Sequence, residues 1–270
     1  MNYNFLLSKS QVFCFVYLTK EIFYYFCSMM SVSKKIQKQI GKLAEGATFK
    51  YEQLAIESQE YTAAVKVIER LIEKGVIKRI STGIFYKPKK TVFGELKPNE
   101  EEILKPYLFE KGKRIAYITG ISLYNQMGLT TQIPKTIKIA SREKRITVLR
   151  SNIKAMPAKS YVDVTDKNFY LLGLLDALKD FKQIPNLDKN SAIKVLSKKM
   201  EELNPTEIKL LIKCSLFYPP RVRAFLGALL ENVNISTDLT IIKKSLNPLS
   251  AYNYGIRDTL LPTIQNWNIK

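Results

Sequence analysis

Residues 58–87 read SQEYTAAVKVIERLIEKGVIKRISTGIFYK, and the reading of this stretch decides the fold. Its first half repeats apolar residues at helical spacing. Ala64, Val65, Ile68, Leu71 and Ile72 form the inner face of a helix that Ser58 caps and that runs to about Lys74. Gly75 stops it, because glycine takes the left-handed conformation that closes a helix at little steric cost. The second half is two β-branched or aromatic runs, 76–80 and 84–87, joined by Ser81, Thr82 and Gly83. Runs so tightly joined predict a β-hairpin.

Toward the N-terminus, Ile36, Ile40 and Leu43 recur behind a capping Ser33 and predict a first helix, ended by Glu45 and Gly46. Phe49 opens the next element, and residues 51–56 give a short second helix burying Leu54 and Ala55. Three helices followed by a hairpin predict a winged helix-turn-helix over 31–90, in which the third helix enters a DNA major groove and the hairpin rests on the backbone. Gln59, Thr62, Ala63, Lys66 and Arg70 are expected on the outer face of the third helix, where Gln, Thr and Arg can hydrogen-bond base edges and Lys neutralises phosphate. Lys78, Arg79 and Lys87, with Lys89 and Lys90, charge the wing. Residues 31–90 hold 13 basic and six acidic side chains, which suits a polyanion partner. The bland alternative is a solvated helix in a domain that only contacts protein.

The whole chain has 270 residues and 43 Lys and Arg against 24 Asp and Glu, a formal charge of +19. Such a field attracts nucleic acid or an anionic membrane surface without choosing between them. The chain has no His, which removes the usual general base of nucleophilic catalysis and the commonest metal ligand. Cys14, Cys27 and Cys214 are distant from one another and odd in number, so neither a zinc site nor a disulfide framework is indicated, and a reducing cytoplasm fits. Residues 1–30 are aromatic-rich. Lys20 and Glu21 split their apolar runs into pieces too short to span a bilayer, and no signal-peptide cleavage pattern follows. The preferred reading is upstream sequence ahead of a true start at Met29 or Met30, with an amphipathic appendage or surface anchor as alternatives.

After a linker expected over 88–98, residues 95–270 read as a second, mixed domain, so that the fold class is α+β: a winged helix, then a small antiparallel sheet, then a helical part. A helix over 100–110 is interrupted near Pro106, a short helix closes at Gly128, and alternation through Ile137, Ile139, Ile146, Val148, Ile153 and Val162 predicts antiparallel strands. Lys135, Lys138, Arg142, Lys144, Arg145 and Arg150 are a candidate second polyanion surface, although lysines on a solvated sheet face are also ordinary protection against edge pairing. Leucines at 171–178 mark a strongly apolar helix. Asn204, Pro205 and Glu207 make a helix start in which Glu207 is a capping group, and Gly227 with Ala228 permits close packing of a later helix. No phosphate-binding glycine loop, nucleophile elbow or facing pair of carboxylates is present, so no catalytic residue, metal or cofactor is expected, and the chain is not expected to be an enzyme.

The hairpin sequence EKGVIKRISTGIFYKP at 73–88, then YITGISLYNQMGLTTQIP at 117–134, then YPPRVR at 218–223 together resemble the AbiEi-like antitoxins of bacterial abortive-infection toxin–antitoxin systems over about 31–233. The middle motif is the most specific of the three. The resemblance implies a cytoplasmic antitoxin for phage defence that represses its own operon by binding operator DNA through the winged helix, without membrane involvement. It also implies that the C-terminal domain counteracts a nucleotidyltransferase toxin, with or without direct contact. The alternative is a winged-helix transcriptional regulator or nucleic-acid-binding accessory protein unrelated to toxin neutralisation.

Overall fold

The structure is a computed structural model that describes residues 32–91, 94–96, 100–150 and 153–270. The readings of residues 1–30 lie outside the described residues. The fold is mixed α and β, with small sheets and several helices. It divides into two compact units between Pro106 and Tyr107.

The first unit opens with helix α1 over 32–42, which buries Val32, Ile36 and Ile40. Strand β1 (Thr48–Lys50) follows, where the sequence pattern suggested only the lead into a helix. Three residues are too few to show a period, and what defines β1 is pairing: Phe49 lies opposite Phe85 on β3 (Ile84–Tyr86), with ring centroids 5.7 Å apart. The expected second helix is a single 3-10 turn, Tyr51–Leu54. Leu54 is buried as expected, but Ala55 is exposed, because the chain turns there through a left-handed φ of 43°.

Helix α2 (Tyr61–Glu73) is preceded by a 3-10 turn, Ser58–Glu60. At its end the amide of Gly75 donates to Ile72 O at 2.9 Å and that of Val76 to Leu71 O at 3.0 Å, with Gly75 at φ 67°. This paired reverse bonding uses the glycine that the sequence supplies. Strand β2 (Lys78–Ser81) then pairs antiparallel with β3 across Thr82 and Gly83, giving a sheet of order β1-β3-β2.

The expected linker contains a second hairpin, β4 (Lys89–Thr91) with β5 (Gly94–Leu96). Helix α3 (Glu100–Leu108) carries Pro106 inside it. Thr48 Oγ1 donates to the Glu102 carbonyl at 2.6 Å, which ties the start of α3 to the first unit and moves the division past the expected boundary at 90–95.

The second unit begins with the small hairpin β6 (Phe109–Glu110) and β7 (Lys113–Arg114). Its main sheet is built from β8 (Ala116–Thr119), β9 (Ile137–Ser141), β10 (Val148–Arg150) and β11 (Ile153–Lys159), in the order β10-β11-β9-β8. The sheet is mixed rather than antiparallel, since β9 and β11 run parallel. The short helix α4 (Ile121–Gln126) follows β8 and closes at Gly128, as expected.

Helices α5 (Phe169–Asp180), α6 (Lys189–Glu201), α7 (Pro205–Ser215), α8 (Pro220–Asn232) and α9 (Thr240–Lys244) complete the chain's helical part. Asn204 and Glu207 form the expected reciprocal cap of α7: Asn204 Oδ1 accepts from the amide of Glu207 at 3.0 Å, and Glu207 accepts from that of Asn204 at 2.9 Å. On α8, a Cβ placed on Gly227 would stand 2.3 Å from the ring of Trp267, so only glycine lets the buried indole lie flat against this helix. Among the described residues no helix is long and apolar enough to cross a membrane.

Candidate nucleic-acid interface

Helix α2 is one-sided. Ala63, Ala64, Val67, Ile68 and Leu71 are buried in the core of the first unit, while Thr62, Lys66, Glu69, Arg70 and Glu73 are exposed. Thirteen residues give a rod of about 20 Å. Ala63 was expected outside and is only 7% exposed. The buried stripe pairs 63 with 64 and 67 with 68, so the helix is turned a step from the sequence reading; Val65 is half-buried, and Val67 takes the inner place. Gln59 is exposed on the 3-10 turn before α2.

The entry to α2 is held by Glu60, whose carboxylate receives Lys35 Nζ at 2.9 Å and the amide of Glu57 at 3.1 Å. These bonds, the lysine first, hold its carboxyl below the usual range. Tyr61, the first residue of α2, packs its ring at a tilt against that of Tyr51, centroids 5.4 Å apart, and remains 51% exposed.

Three of the expected wing cations have different fates. Lys78 is paired with Glu95 on β5, and that hydrogen bond raises its pKa. Arg79 is exposed and lies over the Phe85 ring at 5.7 Å. Lys87 does not project outward: its ammonium donates to the carbonyls of Leu43 at 2.9 Å and Gly41 at 3.3 Å. It therefore caps the C-terminal end of α1, where unsatisfied carbonyls favour a cation. Glu69 and Glu73, omitted from the sequence reading, share the outer face with Lys66 and temper its charge. A helical wheel centred on the buried stripe would have found them.

The residues of the expected second basic surface differ in their partners. Arg142 donates to Tyr161 O at 2.7 Å and pairs with Asp163 at 3.2 Å, and Lys144 pairs with Glu110 at 2.6 Å. Lys135, Lys138 and Arg145 are exposed, with Lys138 on β9; the side chain of Arg150 lies outside the described ones.

Sequence reading also missed a buried polar cluster in the second unit. Asp176 sits in the middle of α5, 1% exposed, and accepts from Tyr117 OH at 2.8 Å, Thr119 Oγ1 at 2.7 Å, Lys179 Nζ at 2.8 Å and Tyr218 OH at 3.3 Å. Tyr124 donates to Asp180 at 2.7 Å, and Arg221 to the Lys179 carbonyl at 3.1 Å. Burial first, and then the Asp176 charge, raises the phenols of Tyr117 and Tyr218; burial and then Asp180 raises that of Tyr124. Burial opposes the charge of Lys179, but pairing with Asp176 outweighs it and raises its pKa. Residues of the segments 117–134 and 218–223 thus converge on one helix, α5.

A family model described as a family of unknown function (DUF6088) matches residues 35–203. The chain is similar in structure to the RV2827C protein from Mycobacterium tuberculosis, with 10% sequence identity, 82% of this chain and 83% of that one covered, and a TM-score of 0.48. No curated protein matches.

Proposed function

We propose that this chain, which belongs to the DUF6088 family of unknown function, is a DNA-binding protein whose first unit is a winged helix-turn-helix. Helix α2 is its recognition element, and the β2–β3 hairpin is its wing. One observation carries the reading: an amphipathic helix presents Thr62, Lys66 and Arg70 to solvent, in the same unit as a hairpin bearing exposed Arg79. Thr and Arg can hydrogen-bond base edges, whereas Lys66 serves a phosphate without reading sequence. The carboxylates of Glu69 and Glu73 repel phosphate, which lowers nonspecific affinity and makes the face selective rather than merely sticky.

The biological role that goes with this reading is that of a cytoplasmic antitoxin and autorepressor without enzymatic activity. It would act on its own operator and counteract a nucleotidyltransferase toxin through the second unit. Support for that role comes from the order of the three motifs at 73–88, 117–134 and 218–223. The test is binding to the promoter region of its own gene at two salt concentrations, for the intact protein and a Lys66→Ala, Arg70→Ala variant. Loss of a base contact costs about 1–3 kcal/mol, so the variant should bind about 5- to 150-fold more weakly while melting unchanged. Specific binding that the variant retains would remove α2 from the interface.

A further inference from the structure

We propose that the bare half of the β8–β11 sheet is a docking surface for a second protein whose facing surface is acidic around an apolar centre. The pairing register sets one face of this sheet. Leu149 on β10 lies opposite Lys154 on β11, and Met156 on β11 lies beside Lys138 on β9. Residues paired across strands point to the same side, and residues two apart along a strand share it. Farther along the same face, Ala140 and Tyr117 are paired with each other, as are Ala140 and Ala158; all three pack into the helical core. The helical cover therefore stops partway across. Beyond it, Leu149 is 64% exposed and Met156 41%, flanked by exposed Lys138 and Lys154.

Exposed leucine on an edge strand is a feature that soluble proteins suppress unless something covers it, and β10 is such an edge, paired only with β11 among the described residues. Charge and chemistry choose the occupant. Lys138 and Lys154 form no ion pair among the described residues, whereas Lys144 and Arg142 are paired with Glu110 and Asp163. A second copy of the chain would set lysine against lysine. A nucleic acid would gain from the two lysines but nothing from covering Leu149 and Met156, and none of these four residues offers an aromatic ring for base stacking. A protein with carboxylates around an apolar centre gains from all four. Aliphatic residues inside a charged rim are also the ordinary anatomy of a protein interface.

The experiment places a photo-reactive aromatic residue at position 156 of the full chain in its host cells, with the same residue at exposed position 209 on α7 as control. The expected result is one discrete covalent product with an identifiable acidic protein, absent at 209. It should fall about tenfold in a Lys138→Glu, Lys154→Glu background that melts as the parent does, and less in the milder Lys138→Gln, Lys154→Gln background. No product, a nuclease-sensitive product, a product of the chain with itself, or an acidic-protein product indifferent to both charge changes would each overturn the proposal.

Discussion

Helices α2 and α5 are nearly equal in length, thirteen and twelve residues, and their polar side chains do opposite things. On α2 a buried stripe alternates with charge, and Lys66, Glu69, Arg70 and Glu73 are all exposed. On α5 eight successive residues, Leu171 to Leu178, are buried, and the one carboxylate among them, Asp176, is used up by Tyr117, Thr119, Tyr218 and Lys179. A polar residue inside an apolar helix thus marks packing in the second unit, while polar residues outside an apolar stripe mark the available chemistry in the first. The segment 117–134 supplies Tyr117, Thr119 and Tyr124 to that internal cluster. A sequence signature of this kind is a folding constraint before it is anything else.

The sharpest way to break the contrast is Asp176→Ala. It removes the acceptor shared by three hydroxyls and a half-buried ammonium, leaving Tyr218 the Leu172 carbonyl and Lys179 the Asp180 carboxylate, so unfolding in denaturant should show a loss of about 3–5 kcal/mol. A loss below about 1 kcal/mol would make Asp176 no different from a surface carboxylate. The second test is alkaline. Because the folded state raises the phenols of Tyr117, Tyr124 and Tyr218 above the ordinary 10.0, it holds their protons where the unfolded chain releases them. Their contribution is therefore fully present below about pH 10 and is lost as pH rises beyond it, by about 1.4 kcal/mol per pH unit for each tyrosine. Denaturation curves at several alkaline pH values should fall accordingly, and less steeply for Tyr117→Phe.

Gly227→Ala comes next. Its Cβ has no room beside Trp267, and overpacking of this kind costs about 1–3 kcal/mol. The effect should shrink in a chain that also carries Trp267→Leu, which a double-mutant cycle measures. Asn204→Ala removes the cap of α7, and a thermal melt should report about 1 kcal/mol lost. At the small end, Lys78→Ala breaks a solvated pair with Glu95 and should leave the melting temperature of the first unit unchanged.

Local signals account for what was legible in advance. Gly75, Gly83, Gly128, Asn204 and Glu207 were readable because a stop, a turn or a cap acts over three or four residues, and the structure uses each as expected. Strand β1 was not, because three residues of Thr, Phe and Lys have no period, and only Phe85, distant in sequence, makes them a strand. The parallel pairing of β9 with β11 escaped for a similar reason: alternation tells which side chains are buried, and not which way a neighbour runs. On α2, the exposure of Thr62, Lys66 and Arg70 was readable from the helical pattern, and Ala63 was misplaced by one step around the helix. Lys87 was misassigned because its true partners, the carbonyls of Gly41 and Leu43, are backbone groups and leave no trace in side-chain composition.

The seat that Gly227 provides for Trp267 also gives the molecule a built-in optical label. The chain has a single tryptophan, and it is buried against α8 with Glu231 bonded to its ring nitrogen and the Lys243 ammonium 5.7 Å from its ring. Indole emission therefore watches one place, the packing of the last helices, and is blind to the unit that carries α2. Amide circular dichroism watches both. Followed together in one tube, the two signals separate the melting of one unit from that of the other without any dye or engineered probe, and binding that shifts only the dichroic transition would be assigned to the first unit by colour alone.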